Sequence, residues 1–503
     1  MKRVLLWLDI HRLATAILFI AVFAMAVRAP ADSDTWWHLK SGQVTVERSH
    51  ILQEDLFSHT RYGARWINHS WLSQVVLYLL FAHFGYAGLG LWMGAVVTAA
   101  FVFVYLQMEG DAFSRAFIVV LTAATSSVIW SARPQLFSFL LTAVVCYLLY
   151  LYKWQGVNRL WLLPPLFALW VNLHAGYALG FIVLIAFVVG EVLNNLLALV
   201  SPGPDPIVEW GRLGVMILYL LLSLLALVFN PNTTRMWVYP FQTARIQILQ
   251  QFIQEWQSPD FHPLYTQPFI WLLLATLAAM GLSGRRADGT DLALVGIFAY
   301  AALLAGRNMG PFALVTAPAL SRHVAAALRR WGEAARERGW LRPHPRPGSA
   351  ASLALASLNW WLLLLALIAA AAKVYPPLTP ALNEKAQRAY LPLDAVRWIE
   401  QHRPAGKMFN HYNWGGYLIW RLWPDYRVFV DGRTYLYGDE ILRDYVEIQA
   451  LGPRYEDLLD RYEVSFVLTK AGDALSVVLS RTPGWHLAYE DDTAVIYVQG
   501  GGP

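Results

Sequence analysis

Cysteine is nearly missing from this chain. Its 503 residues hold a single one, Cys146, inside an apolar run, so no intrachain disulfide can form. Charge is scarce as well. Asp, Glu, Lys and Arg make up 15% of the chain and 57% is hydrophobic, whereas soluble globular domains carry about 25% charged residues; an ordinary soluble fold is excluded. No Walker, Rossmann, zinc-ligand or nucleophile-elbow pattern occurs, so the chemistries built on them have no support. Few ionisable residues stand in mid-run, Glu191 being the main exception. That ranks a lipid or polysaccharide transporter last, because transport paths need such groups. The net charge of +5 comes from basic residues gathered in short loops, a sign of membrane topology and not of nucleic-acid binding.

What is present is a polytopic α-helical membrane protein. Trp (23) and Tyr (24) are plentiful, as suits a chain with many membrane interfaces. Apolar runs predict about eleven transmembrane helices, at 13–27, 86–106, 114–130, 136–152, 160–173, 177–200, 213–229, 268–282, 292–304, 310–319 and 353–372. Segment 66–84 is apolar but carries Asn68, His69, Gln74 and His83, and reads as a juxtamembrane or re-entrant helix. Lys2, Arg3 and Arg12 precede the first run, which places the N-terminus in the cytoplasm. Arg115, Lys153, Arg159, Arg212, Arg285 and Arg286 then fall on the cytoplasmic side, with a basic loop at 322–350. Residues 1–373 form the membrane domain. Composition changes beyond it, and 376–503 predicts an extracytoplasmic soluble α/β domain, with strands at 427–430, 465–468 and 493–498 and helices at 394–401, 439–449 and 455–462.

The same topology sends the polar turns outward. The first outer loop, 31–70, opens on Asp32 and Asp34, followed by Trp36, Trp37 and His38, and also contains His69. An Asp-x-Asp pair on an irregular segment can hold a divalent cation, Mg or Mn, through hard oxygen ligands, or can leave one carboxylate free to take a proton. The ordinary alternative is a pair of solvated loop acids beside an interfacial aromatic anchor. Arg133, His174 and Arg307 each end an apolar run, where an unpaired polar group is costly. Outer loop 230–268 adds Glu255 and Trp256, a carboxylate for sugar hydroxyls beside an indole for a sugar face, with an amphipathic helix expected at 245–256. In the tail, Asp431 and Arg433 on a turn either face a ligand or reflect turn chemistry alone.

The segments DSDTWWHLKSGQ, DLFSHT, WINHSWLSQ, ARPQLFSF, LWVNLHAGYALG, FNPN and EWQSPDF resemble bacterial multispanning proteins of the GT-C glycosyltransferase class. The tail, with HYNWGGYLIW and FVDGRTYLYG, is similar to tails on those proteins. That class includes protein O-mannosyltransferases, the aminoarabinose transferase and oligosaccharyltransferases. The resemblance implies a GT-C-like fold in the bacterial plasma membrane and a donor that is a polyprenyl-phosphate-linked sugar or lipid-linked oligosaccharide. It also implies that an acid of the first outer loop, Asp32 or Asp34, serves as catalytic base or metal ligand. Neither the particular donor nor the acceptor, whether glycan, lipid or protein, is carried over. The expected reaction is inverting transfer at the outer leaflet, with His38, His69, Arg133, His174, Glu255, Trp256 and Arg307 as substrate-binding residues. A non-catalytic scaffold subunit of an envelope complex is the competing reading.

Overall fold

The computed structural model describes residues 6–30, 32–200, 203, 205–340 and 349–500. Ala31, Lys2, Arg3, Arg342 and Arg346, which entered the topology above, lie outside them. Leu- and Ala-rich runs with few helix breakers form helices wherever a span was expected. These are Ile10–Ala26, Trp71–Tyr105, Ala112–Ser126, Gln135–Trp154, Leu163–Leu173, Tyr177–Ala198, Trp210–Ala226, Gln267–Leu282, Gly289–Leu304, Met309–Glu337 and Ser349–Leu378. Among the described residues six helices are long and apolar enough to cross a membrane, while Ile10–Ala26, Leu160–Leu173, Gln267–Leu282 and Gly289–Leu304 are shorter apolar helices. Length and composition therefore give fewer certain spans than the eleven expected. Leu221, Leu225, Leu274, Leu277, Leu365 and Ile368 point outward on the bundle surface, as a lipid-facing wall requires.

Trp71–Tyr105 joins the expected re-entrant segment to the following span. It is broken at Gly85, whose φ of 57° is not helical. The basic segment beginning at Arg322 is not a loop over its first half: helix Met309–Glu337 runs through it, because AAALRRWGEAARE is rich in good helix formers. Arg322 is buried there against Asp291. Glu191 is not a lone mid-span acid. Lys153 Nζ lies 2.5 Å from it and 2.6 Å from Asp288, and the Val208 N–H donates to it at 2.8 Å. This buried cluster ties three helices together. It lies eighteen residues along one helix from Gln135, about 27 Å at 1.5 Å per residue, and so at the opposite end of the bundle from Arg133.

Segment 32–70 contains one helix, Asp34–Arg48, followed by irregular chain. Trp36 and Trp37 are not an interfacial anchor. Both are buried, and Trp36 packs against Phe81, Tyr86, Tyr417 and Trp420.

The C-terminal part builds a four-stranded sheet of order β1-β2-β4-β3, with β1 Lys407–Asn410, β2 Val464–Lys470, β3 Trp485–Glu490 and β4 Ala494–Gln499. β1 and β2 are parallel, and the other neighbours antiparallel. Residues 427–430 are not a strand of this sheet. Val428 instead exchanges backbone hydrogen bonds with Phe57 and His59 of the first segment, each at 3.0 Å. Asp431 and Arg433 belong to a buried ion network, and Arg433 also lines the cavity between the bundle and the C-terminal part. Arg433 is buried, with Nη1 2.6 Å from Asp55 and Nη2 2.7 Å from Asp431. Removing water from three charges is tolerable only because each is paired, and the network rivets the C-terminal domain to segment 32–70.

Candidate active site

Between bundle and C-terminal domain lies a cavity of about 1170 Å³. All nine residues expected at a site line it: Asp32, Asp34, His38, His69, Arg133, His174, Glu255, Trp256 and Arg307. They arrive from separate elements because the turns between helices converge at one end of the bundle.

Of the pair, Asp32 lies on irregular chain as expected, whereas Asp34 is helical. Asp34 is the first residue of helix Asp34–Arg48, and its backbone N–H donates to Asp32 Oδ1 at 2.9 Å. Trp37 Nε1 donates to Asp34 Oδ1 at 3.1 Å, one helical turn on, where residues i and i+3 share a face. Arg133 stands just before helix Gln135–Trp154 and spans three carboxylates. Its Nε lies 3.0 Å from Asp32 Oδ2, its Nη1 2.9 Å from Asp34 Oδ2 and its Nη2 3.1 Å from Glu255 Oε2. Arg307 reaches the other Glu255 oxygen at 3.6 Å and stacks on the Trp256 indole at 4.4 Å, so the ring face expected to meet a sugar is covered by a guanidinium.

The cluster holds Asp32, Asp34 and Glu255 against Arg133 and Arg307, one negative charge in excess. Burial, with the neighbouring Asp32 carboxylate, pushes Asp34 up to about 6 against the pull of Arg133. Asp34 keeps 26% of its side chain open to the cavity, so water tempers that shift. Burial also acts to raise Glu255, but the Arg133 and Arg307 guanidiniums outweigh it and hold Glu255 below its ordinary value. One acid is thereby made a better base while its neighbour stays ionised.

The opposite wall is polar and neutral. Burial lowers His38 and His174 well below the usual imidazole range and brings His69 down to about 4. His174 Nδ1 accepts the Gly176 N–H at 3.0 Å and sits 2.8 Å from Ser138 Oγ, which itself accepts Trp170 Nε1–H at 2.8 Å. An acceptor Nδ1 puts the proton of the neutral ring on Nε2. His69 packs against Tyr239 with the rings tilted and their centroids 4.8 Å apart, and His38 Nδ1 lies 3.4 Å from the Gln74 amide.

The C-terminal domain completes the cavity with Tyr412, Asn413, Tyr435 and Lys470. Sequence reasoning missed these. HYNWGGYLIW was a visible signal, whereas Lys470 is a lone lysine at a strand end. Two glycines show why the domain fits. A Cβ on Gly416 would lie 2.1 Å from the Ser33 carbonyl oxygen, and one on Gly432 1.9 Å from Asp34 Oδ1. Close approach to the Asp32–Asp34 turn, and not a positive φ, demands glycine at both positions.

Sequence comparison finds no matching family model and no matching curated protein. Solved structures do match. The Archaeoglobus fulgidus oligosaccharyltransferase AglB, in complex with an inhibitory peptide and a dolichol-phosphate, aligns over 97% of this chain and 74% of its own, at 12% identity and a TM-score of 0.53. An Archaeoglobus fulgidus oligosaccharyltransferase tethered to an acceptor peptide aligns over 98% of this chain and 75% of its own, at 13% identity and a TM-score of 0.54. Apo ArnT from Cupriavidus metallidurans aligns over 97% and 99%, at 16% identity and a TM-score of 0.51. From end to end, then, this chain has the GT-C fold of the two membrane glycosyltransferases AglB and ArnT.

Proposed function

We propose that this chain is a membrane glycosyltransferase that moves a sugar from a polyprenyl-phosphate donor to an acceptor hydroxyl on a glycan, lipid or protein. The observation that carries the reading is Asp34, a carboxylate raised to about 6 at the wall of a large cavity in a GT-C fold. Asp34 accepts the proton of the acceptor hydroxyl as its oxygen attacks the anomeric carbon. The bond from that carbon to the lipid phosphate oxygen breaks on the opposite side, so one displacement inverts the centre. The departing phosphate keeps the bonding electron pair and gains charge. Arg307, with 32% of its side chain open, is placed to meet it electrostatically, since Arg133 is committed to three carboxylates. The neutral wall of His38, His69 and His174 offers hydrogen bonds to sugar hydroxyls. AglB supplies a precedent for the lipid, being solved with a dolichol-phosphate.

The bias of Lys and Arg supports about eleven crossings, a cytoplasmic N-terminus and a cavity and C-terminal domain on the outer face of a bacterial plasma membrane. The test is transfer in proteoliposomes supplied with polyprenyl-phosphate sugars. Asp34→Asn is expected to lower the rate by about 10²–10⁴-fold, the usual worth of a general base. Full transfer by both Asp32→Asn and Asp34→Asn would overturn the mechanism.

A further inference from the structure

We infer that Arg133 occupies the place a divalent cation would take, so that the guanidinium and not a metal organises the acids of this site. An Asp-x-Asp pair invites a metal reading, but the donor set does not fit one. Each of the four oxygens of Asp32 and Asp34 already faces a nitrogen: the Asp34 backbone N–H and Arg133 Nε at Asp32, Trp37 Nε1 and Arg133 Nη1 at Asp34. Among the described residues no three His, Cys, Asp or Glu side chains gather to hold an ion. The third acid in reach, Glu255, is joined to the pair only through Arg133 Nη2. A cation between the carboxylates would sit against this guanidinium, two positive centres a few ångströms apart where the dielectric is low. Arg133 therefore acts as a positioning residue. It holds three carboxylates around one planar centre, as a hard cation holds oxygen ligands, and leaves Asp34 basic, whereas a directly bound dication would depress its proton affinity.

The arrangement carries a specific consequence. Removing the guanidinium leaves three carboxylates converging on a vacated, solvent-reachable space, and three oxygen ligands completed by water are the ligand type that Mn²⁺ and Mg²⁺ accept. Arg133→Ala should convert the site into a cation site that the wild-type protein lacks.

The inference deepens the transferase reading, but its test does not depend on any transfer. Purified full-length protein, stripped with EDTA, is titrated with Mn²⁺ alone, and the free ion is followed by electron paramagnetic resonance. The expected result is no Mn²⁺ retained by wild type, about one equivalent retained by Arg133→Ala, and loss of that equivalent in Arg133→Ala combined with Asp34→Asn. Arg133→Gln, which removes the charge but keeps part of the volume and a hydrogen-bonding amide, serves if the alanine variant fails to fold. One equivalent held by wild type and lost in Asp34→Asn would overturn the inference, as would two folded Arg133 variants that bind no Mn²⁺. In proteoliposomes, EDTA-stripped wild type should keep its transfer rate. A rate lost on stripping and restored by Mn²⁺ also counts against Arg133, whereas absence of transfer under every condition counts against the transferase reading and leaves the titration to decide.

Discussion

The contact between Gly432 and Asp34 can be tested by adding one methyl group. A Cβ on Gly432 falls 1.9 Å from Asp34 Oδ1 and 2.7 Å from its Cγ. Real Cβ contacts essentially never come under 3.0 Å, so the carboxylate or the turn must retreat by about 3.0 − 1.9 = 1.1 Å. Neither partner yields freely. Asp34 is held by Trp37 Nε1 at 3.1 Å and Arg133 Nη1 at 2.9 Å, and Trp37 is buried. The turn carrying Gly432 is fixed by Arg433, whose backbone N–H donates to Asp431 Oδ1 at 2.9 Å. Misplacing a reacting group by about 1 Å costs on the order of 10²-fold in rate, and overpacking of this kind costs about 1–3 kcal/mol in stability. Gly432→Ala should therefore lose about two orders of magnitude in kcat in the proteoliposome assay while still giving a cooperative melt. Gly296→Ala is the control, since a Cβ there meets nothing within 4 Å. Transfer by Gly432→Ala within about twofold of wild type, with Asp34→Asn inactive, would refute the idea that the C-terminal domain sets the position of the acid.

Other expectations follow from the same geometry. With Asp34 at about 6, kcat/KM should rise with pH through about 6 and level off above it, and Asp34→Asn should abolish that limb. The sign for stability is opposite. A folded value above the ordinary 3.8 gives a contribution fully present below about pH 4 and lost as pH rises through about 6, so Asp34→Asn should melt higher than wild type at pH 7. Arg433→Ala strands buried Asp55 and Asp431. It should cost about 3–5 kcal/mol and release the C-terminal domain to limited proteolysis, whereas unchanged protease resistance would show that the rivet is dispensable. Lys153→Met leaves Glu191 and Asp288 unpaired at the far end of the bundle. It should lower the melting temperature and leave KM for donor unchanged.

The parts of this structure visible in the sequence are those written in local pattern. Apolar runs located most of the helices within a few residues, but not the far end of Met309–Glu337 or the start of Trp71–Tyr105, where the helix runs on through polar sequence. Turn residues with a reason to be buried, such as Arg133 and His174, marked the cavity because a polar group at a span end needs a partner. Pairings between distant residues were not visible. Nothing local distinguishes Arg133 bridging three acids from Arg133 facing a phosphate, or Arg322 buried against Asp291 from Arg322 in a basic loop. β3 was missed because WHLAYE alternates poorly, its burial running intermediate to exposed. Segment 427–430 has strand-like composition, yet it pairs with Phe57–His59 and not with the sheet, a choice set by tertiary packing. The glycines at 416 and 432 resembled turn residues, and their real constraint, backbone laid against Ser33 and Asp34, exists only in the folded protein.

The central claim, a polyprenyl-phosphate sugar consumed at the Asp34 cavity, is tested most directly by mass spectrometry of the lipids retained after gentle solubilisation, comparing wild type with Arg307→Ala. The account predicts a polyprenyl phosphate, with or without its sugar, on the wild-type protein, and its loss when the cation set to meet the phosphate is removed. Bulk phospholipid alone on both proteins would contradict it.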